Sequence, residues 1–231
     1  MNREIRVWDL PTRLFHWLLL AGVVAAFVTA QIGGNLMVWH GRIGLAMVGL
    51  LSFRLAWGFI GSSYARFGHF VPGPRALVAY LQGRWQGVGH NPLGALSVLA
   101  LLALLIAQTV TGLFGNDDIA FTGPLYPLVS KDLSDTLTGW HHRGELAIYL
   151  LVGLHVAAIA FYALLKKERL VPAMVTGRRQ VGTPHATDAR GGGPVAFVVA
   201  LAIAAAAVWV ANGALNPPPP PAPPSQATPA W

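Results

Sequence analysis

Residues 141–155 read HHRGELAIYLLVGLH. From residue 146 to residue 165 the chain is apolar, and about 20 such residues are what a helix needs to cross a bilayer. Ionisable groups inside a membrane are costly and are functional candidates by default. His141 and His155 are fourteen residues apart. At about 1.5 Å and 100° per residue they lie roughly 21 Å apart along the axis, yet only about 40° from the same face. His142, one residue nearer, falls about 140° from that face. Both histidines stand as candidates, and His141 is the better aligned.

Four further stretches have the same character: residues 14–32, 41–60, 93–114 and 194–211. The last is mostly Ala and Val. The composition agrees. Apolar residues make up 54% of the 231 and charged residues 11%, against roughly a quarter charged in a soluble domain. The mean hydropathy is +0.52. With no cysteine, disulfide scaffolds, thiolate zinc sites, iron–sulfur clusters and covalently attached haem are excluded. The basic start and small residues near Ala30 imitate a signal peptide, but the apolar run exceeds the usual length of about 7–15 residues. The first stretch is therefore expected to be retained.

Positive charge sets the orientation. Arg3, Arg6 and Arg13 precede the first span. Arg66, Arg75 and Arg84 lie between the second and third, and Lys166, Lys167, Arg169, Arg178, Arg179 and Arg190 follow the fourth. The opposite side holds Arg42, Lys131 and Arg143 with four aspartates, Asp117, Asp118, Asp132 and Asp135. The N-terminus is expected in the cytoplasm. The net charge of +7 is thus topogenic, and no nucleic-acid partner is implied. Residues 33–37 read as a tight outer turn, 74–85 as holding a short interfacial helix, 115–140 as the main outer loop and 177–193 as a flexible linker. Residues 217–224, with seven prolines in eight, read as a polyproline II tail. No internal repeat is evident.

Four histidines sit in or at the ends of spans. By depth, His40 matches His141 at the outer level, and His16 matches His155 at the inner level. Two imidazoles on one face of a helix, each matched by another helix at its own level, describe two stacked bis-histidine haems held in a bundle core. Arg54 follows His40 by fourteen residues and so shares its face at the inner level. A buried arginine needs an anion, and a haem propionate is a suitable one. Arg42 and Arg143 stand beside the outer histidines, where propionate pairing and interfacial snorkelling are both open. Gly41, Gly44, Gly144 and Gly153 leave room for a flat macrocycle or for helix approach. Trp17, Trp39 and Trp140 fit an aromatic belt. His69, His90 and His185 lack matched partners and read as solvated or structural, with His90 capping the third span. No phosphate loop, zinc-helix motif or catalytic triad is found.

The chain resembles the bacterial cytochrome b561 family, which includes the b-type cytochrome subunits of nickel-iron hydrogenases. The resemblance covers roughly residues 3–176. It rests on Val7-Trp8-Asp9-Leu10-Pro11-Thr12-Arg13-Leu14-Phe15-His16-Trp17, His40-Gly41-Arg42-Ile43-Gly44, Phe53-Arg54-Leu55-Ala56-Trp57-Gly58, Gly89-His90-Asn91-Pro92-Leu93-Gly94 and the helix from His141 to His155. It implies a four-helix core with two non-covalent b haems, liganded at positions matching His16, His40, His141 and His155. It further implies electron transfer between the quinone pool and a periplasmic partner, such as a c-type cytochrome or a hydrogenase.

The expected fold is an all-α integral membrane protein: a four-helix transmembrane bundle binding two haem b, plus a fifth C-terminal transmembrane helix. The expected division is residues 1–176 for the diheme domain, 177–193 for the linker, 194–212 for the fifth helix and 213–231 for the Pro-rich tail. The expected location is the bacterial inner membrane, in contact with lipid and quinone or quinol. The expected function is transmembrane electron transfer by a diheme b-type cytochrome of the respiratory chain. The alternative is a self-sufficient quinone-linked oxidoreductase, such as a superoxide:quinone oxidoreductase. A metal transporter would need its histidines clustered at one depth, which they are not, and a purely structural anchor would not need them at all.

Overall fold

Asp9 begins the first helix by accepting a hydrogen bond from the Thr12 backbone N–H at 2.6 Å, and Pro11 occupies the first turn, where a missing N–H costs nothing. The computed structural model describes residues 3–182 and 186–218. His185 and most of the proline run lie outside the described residues. Two short antiparallel strands are present, β1 (Arg3–Arg6) and β2 (Arg178–Val181). The helices are α1 (Leu10–Ile32), α2 (Met37–Ile60), α3 (Phe67–Phe70), α4 (Pro74–Leu81), α5 (Pro92–Leu113), α6 (Lys131–Leu164), α7 (Leu170–Thr176) and α8 (Pro194–Trp209).

Five of these helices are long and apolar enough to cross a membrane: α1, α2, α5, α6 and α8 with its wider final turn, Val210–Ala214. The short helix expected within residues 74–85 is α4, and the tight turn after α1 is a single turn of 3-10 helix, Gly34–Leu36. Gly33 and Gly34 take positive φ there, a conformation that other residues rarely adopt.

Two expectations change. Residues 131–140 are not loop. The Ser130 hydroxyl accepts from the Leu133 N–H at 3.3 Å, Asp132 sits in the first turn, and α6 starts there, fifteen residues before the apolar run. His141 is therefore inside a continuous helix. The segment read as a flexible linker is tied down near both ends: Arg178–Val181 pairs with Arg3–Arg6, and Ser62 bridges to Gly191. Short alternating segments such as REIR and RRQV carry too few residues to announce a strand on their own.

α2 is the hub. It packs against α1, α5 and α8, and α6 packs on α5. A third of the spanning window of α2 is buried (33%), against 11% for α1 and 6% for α6. The central cluster joins Phe15, Leu51, Leu102, Leu105 and Ile148 from four different helices. On the far side of α2, Ala200 and Ala204 of α8 let the helix sit close to Phe53 and Trp57. The many exposed apolar side chains of α6, among them Leu146, Leu150 and Leu154, suit contact with lipid chains.

The two ends of the bundle differ in charge. At the basic end β1, β2 and the segments after α2 and α6 share a small core of Ile5, Val7, Trp8, Ala173 and Ala186. Asp9 ties this end to α2, accepting from Trp57 Nε1 at 3.0 Å and from the Ser62 hydroxyl. At the acidic end the loop before α6 is knit by Asn116, which donates to the Ser134 hydroxyl at 2.6 Å and to Asp135 at 2.9 Å. Asp117 accepts from the backbone N–H groups of Phe121, Ile119 and Ala120, which hold its carboxyl below the usual range.

Candidate functional site

The histidines of α2 and α6 meet at the acidic end. The rings of His40 and His141 stand 6.0 Å apart, centre to centre, at right angles. Each ring is braced from a third helix. His40 Nδ1 lies 3.0 Å from the Ala26 carbonyl of α1, and His141 Nδ1 lies 2.8 Å from the Gln108 carbonyl of α5. A carbonyl can only accept, so Nδ1 carries the proton in both rings. Nε2 is then the lone-pair nitrogen, the tautomer that ligates a metal. Gln108 adds a second hold, donating from Nε2 to the His141 carbonyl at 2.8 Å.

His142 is exposed and stands against His141, 6.4 Å between ring centres. Of the two adjacent histidines it is His141 that faces His40.

The other two histidines lie toward the basic end. His16, on α1, is close enough to His155, on α6, for their charges to interact. The His16 ring meets Trp17 edge-on at 5.1 Å, and its Nδ1 is buried without a hydrogen-bond partner. Arg54 of α2 is only 3% exposed. Its guanidinium stands over the rings of Phe67 and Phe70 at 5.0 and 5.8 Å, and its Nη1 has no partner. Among the described residues no carboxylate forms an ion pair with it.

The remaining expectations divide. Arg42 is exposed and lies 4.8 Å over Trp39, and Arg143 is exposed as well, so both are positioned as interfacial cations. Gly44 faces open space on the His40 side of α2, as a cradle for a flat group requires. Gly41 and Gly144 instead make room for protein: a Cβ at Gly41 would lie 3.0 Å from the Phe121 ring, and one at Gly144 would meet the Gln108 amide. Gly153 has nothing near it, but two residues from His155 it points away from that face. The cap of α5 is Asn91, not His90: its side chain accepts from the Gly94 N–H at 2.7 Å.

Two groups escaped the sequence reading. Gln108 is a lone amide in an apolar helix, which is itself a signal. Glu145, one turn below His141, accepts from Gln31 at 2.8 Å and Tyr149 at 3.1 Å, tying α1 to α6.

The donor set fits a haem and fits a bare metal ion poorly. Among the described residues no three His, Cys, Asp or Glu side chains gather on one point. The histidines pair instead, and the imidazole nitrogens of such a pair would suit a haem iron. The 6.0 Å between the His40 and His141 rings admits a metal bonded to each at about 2 Å. Toward the basic end, a buried guanidinium with an unpartnered nitrogen suits a carboxylate such as a propionate.

Comparison with known proteins gives one family and a consistent set of relatives. Residues 7–177 match the family model described as prokaryotic cytochrome b561. A protein of Azotobacter vinelandii named probable Ni/Fe-hydrogenase B-type cytochrome subunit is 26% identical over 214 residues, covering 76% of this chain and 88% of the relative. The probable Ni/Fe-hydrogenase 1 B-type cytochrome subunit of Escherichia coli K12 is 23% identical over 212 residues, covering 75% and 89%. The Cupriavidus necator counterpart is 24% identical, covering 75% and 86%. No solved structure matches the chain.

Proposed function

The chain belongs to the prokaryotic cytochrome b561 family, and from that premise we propose that it is a diheme b-type cytochrome carrying electrons across the bacterial inner membrane. The electrons pass between the quinone pool and a redox protein at the periplasmic face, a c-type cytochrome or a hydrogenase like those its relatives are named for. The basic end is cytoplasmic under the positive-inside rule.

Each haem, when bound, supplies a one-electron iron couple whose potential follows its ligands, hydrogen bonds and burial. The work of this chain is to hold and tune. His40 and His141 form the outer ligand pair, with the Ala26 and Gln108 carbonyls fixing their tautomer. His16 and His155 form the inner pair. Arg54 neutralises an inner propionate, and Arg42 and Arg143 are within the outer interface to do the same for the outer one. The apolar helices around both levels keep water out and hold the effective dielectric low. One observation carries this reading: two imidazoles from different helices, 6.0 Å apart, each with Nδ1 tied to a carbonyl.

The test is electron transfer in proteoliposomes containing the purified protein and quinol, with a soluble c-type cytochrome outside. Quinol-dependent reduction of that cytochrome supports the proposal. Redox-active haems that exchange no electrons with quinone or partner would overturn it. Quinone turnover with superoxide and no partner would favour a self-sufficient oxidoreductase instead.

A further inference from the structure

Arg54 is not alone at the basic end. His90, in the loop before α5, has its Nδ1 buried and without a partner, as Arg54 has its Nη1. Phe70 links the two. Its ring packs on His90 at 4.9 Å and lies under the Arg54 guanidinium at 5.8 Å. Trp8 packs against His90 at 4.5 Å. Two polar groups, set around one aromatic ring, thus each keep one sealed atom unused.

What could satisfy both is narrowly defined. Burial, with the positive charge of Arg54 nearby, holds the His90 imidazole well below its ordinary range, so the ring is neutral. A neutral imidazole keeps one N–H to donate. Arg54 requires negative charge. Asp9 is within electrostatic reach of it, but Asp9 is already engaged by the Thr12 N–H, Trp57 Nε1 and the Ser62 hydroxyl. An anion with several lone pairs, a carboxylate, takes a charge-assisted bond from the guanidinium and a second bond from the imidazole. Capping does not occupy His90, because Asn91 caps α5.

We infer that His90 and Arg54 together form a carboxylate-binding site, and that the carboxylate they hold is a propionate of the inner haem. This rests on the diheme reading above. His90 is a positioning residue here: it orients the propionate by donating a hydrogen bond, without ligating iron, and Arg54 supplies the charge.

The experiment uses the full-length, haem-loaded protein with His90→Phe, which refills the aromatic slot without a donor, and His90→Gln, which restores one. The readouts are haem-to-protein ratio and the midpoint potential of each haem across pH. The inner haem is identified as the one missing from His155→Ala. His90→Phe should lower the inner potential, with roughly a fivefold loss in the equilibrium constant for reduction, the effect of one hydrogen bond of ordinary strength. It should also make that potential depend on pH, while the outer haem stays unchanged and His90→Gln stays near the unmutated protein. Unchanged potentials in His90→Phe at full haem content would overturn the inference, and so would lost quinol oxidation at unchanged potentials. If His90→Phe fails to load, His90→Gln decides: loading with unmutated potentials supports the site, and loss of the inner haem there too contradicts it. Failure of the diheme reading itself is distinct, since the unmutated protein would then not hold two haems.

Discussion

The two histidine levels are built differently. At the acidic end the protein supplies the hydrogen-bond partners of both rings by itself: each ring rests on a carbonyl of a neighbouring helix, and Gln108 clamps the His141 backbone. Toward the basic end polar atoms are left over, with His16 Nδ1, Arg54 Nη1 and His90 Nδ1 all buried and unpartnered. Buried polar groups without partners are costly, and a native site retains them where a ligand satisfies them. Under the diheme reading, the outer level would be organised before a cofactor binds and the inner level would be completed by it. Braced rings are more basic ligands, which favours ferric iron, while a buried guanidinium favours the more electron-rich ferrous state. The diheme reading therefore predicts the higher potential for the inner haem.

The sharpest way to break the comparison is to delete a braced ligand. His141→Ala should remove the outer haem and leave the inner one, halving haem content, while His142→Ala should leave content unchanged. Pyridine haemochrome assay of both variants checks this; loss of haem in His142→Ala alone would reverse the ligand assignment.

Next in size is the unpaired cation. Arg54→Gln should lower the inner midpoint potential and spare the outer one. A loss of about 1 kcal/mol of differential stabilisation corresponds to about 40 mV for a one-electron couple. Potentiometric titration reads it, and a shift confined to the outer haem would refute the placement of Arg54.

Gln108→Leu removes the Gln108 hold on the His141 carbonyl but leaves the Gln108 carbonyl itself in place. The outer haem should then dissociate at a lower temperature, with a loss of about 1 kcal/mol from one hydrogen bond, while the inner haem is unaffected. Heating monitored in the haem absorption band tests this. The smallest effect should come from Gly144→Ala, whose new methyl group displaces the Gln108 amide. It should weaken the outer haem in the same sense and by less.

Much of this was legible in the chain. Apolar length alone marks all five crossing helices, because lipid tolerates few alternatives to an apolar helix. The fourteen-residue interval from His141 to His155 gives two levels, because helix rise and rotation are nearly constant. Less visible was where α6 begins. Ser130 and Asp132 are start signals, yet a polar stretch rich in Asp and Thr reads equally as loop. His90 reads as a cap from sequence because depth matching looks only within spans, and its setting comes from Trp8 and Phe70, distant in sequence. The carbonyl braces were invisible in principle: every residue has a carbonyl, and only packing decides which one faces an imidazole. Gly41 and Gly144 illustrate the same limit, since sequence marks a small residue but not the neighbour it admits.

The central claim is that this bundle holds two b haems, one at each histidine level. A reduced-minus-oxidised spectrum of the purified protein, with haem and protein quantified on the same sample, tests it most directly. The account predicts b-type bands and two haems per chain. One haem per chain, or none, would contradict it.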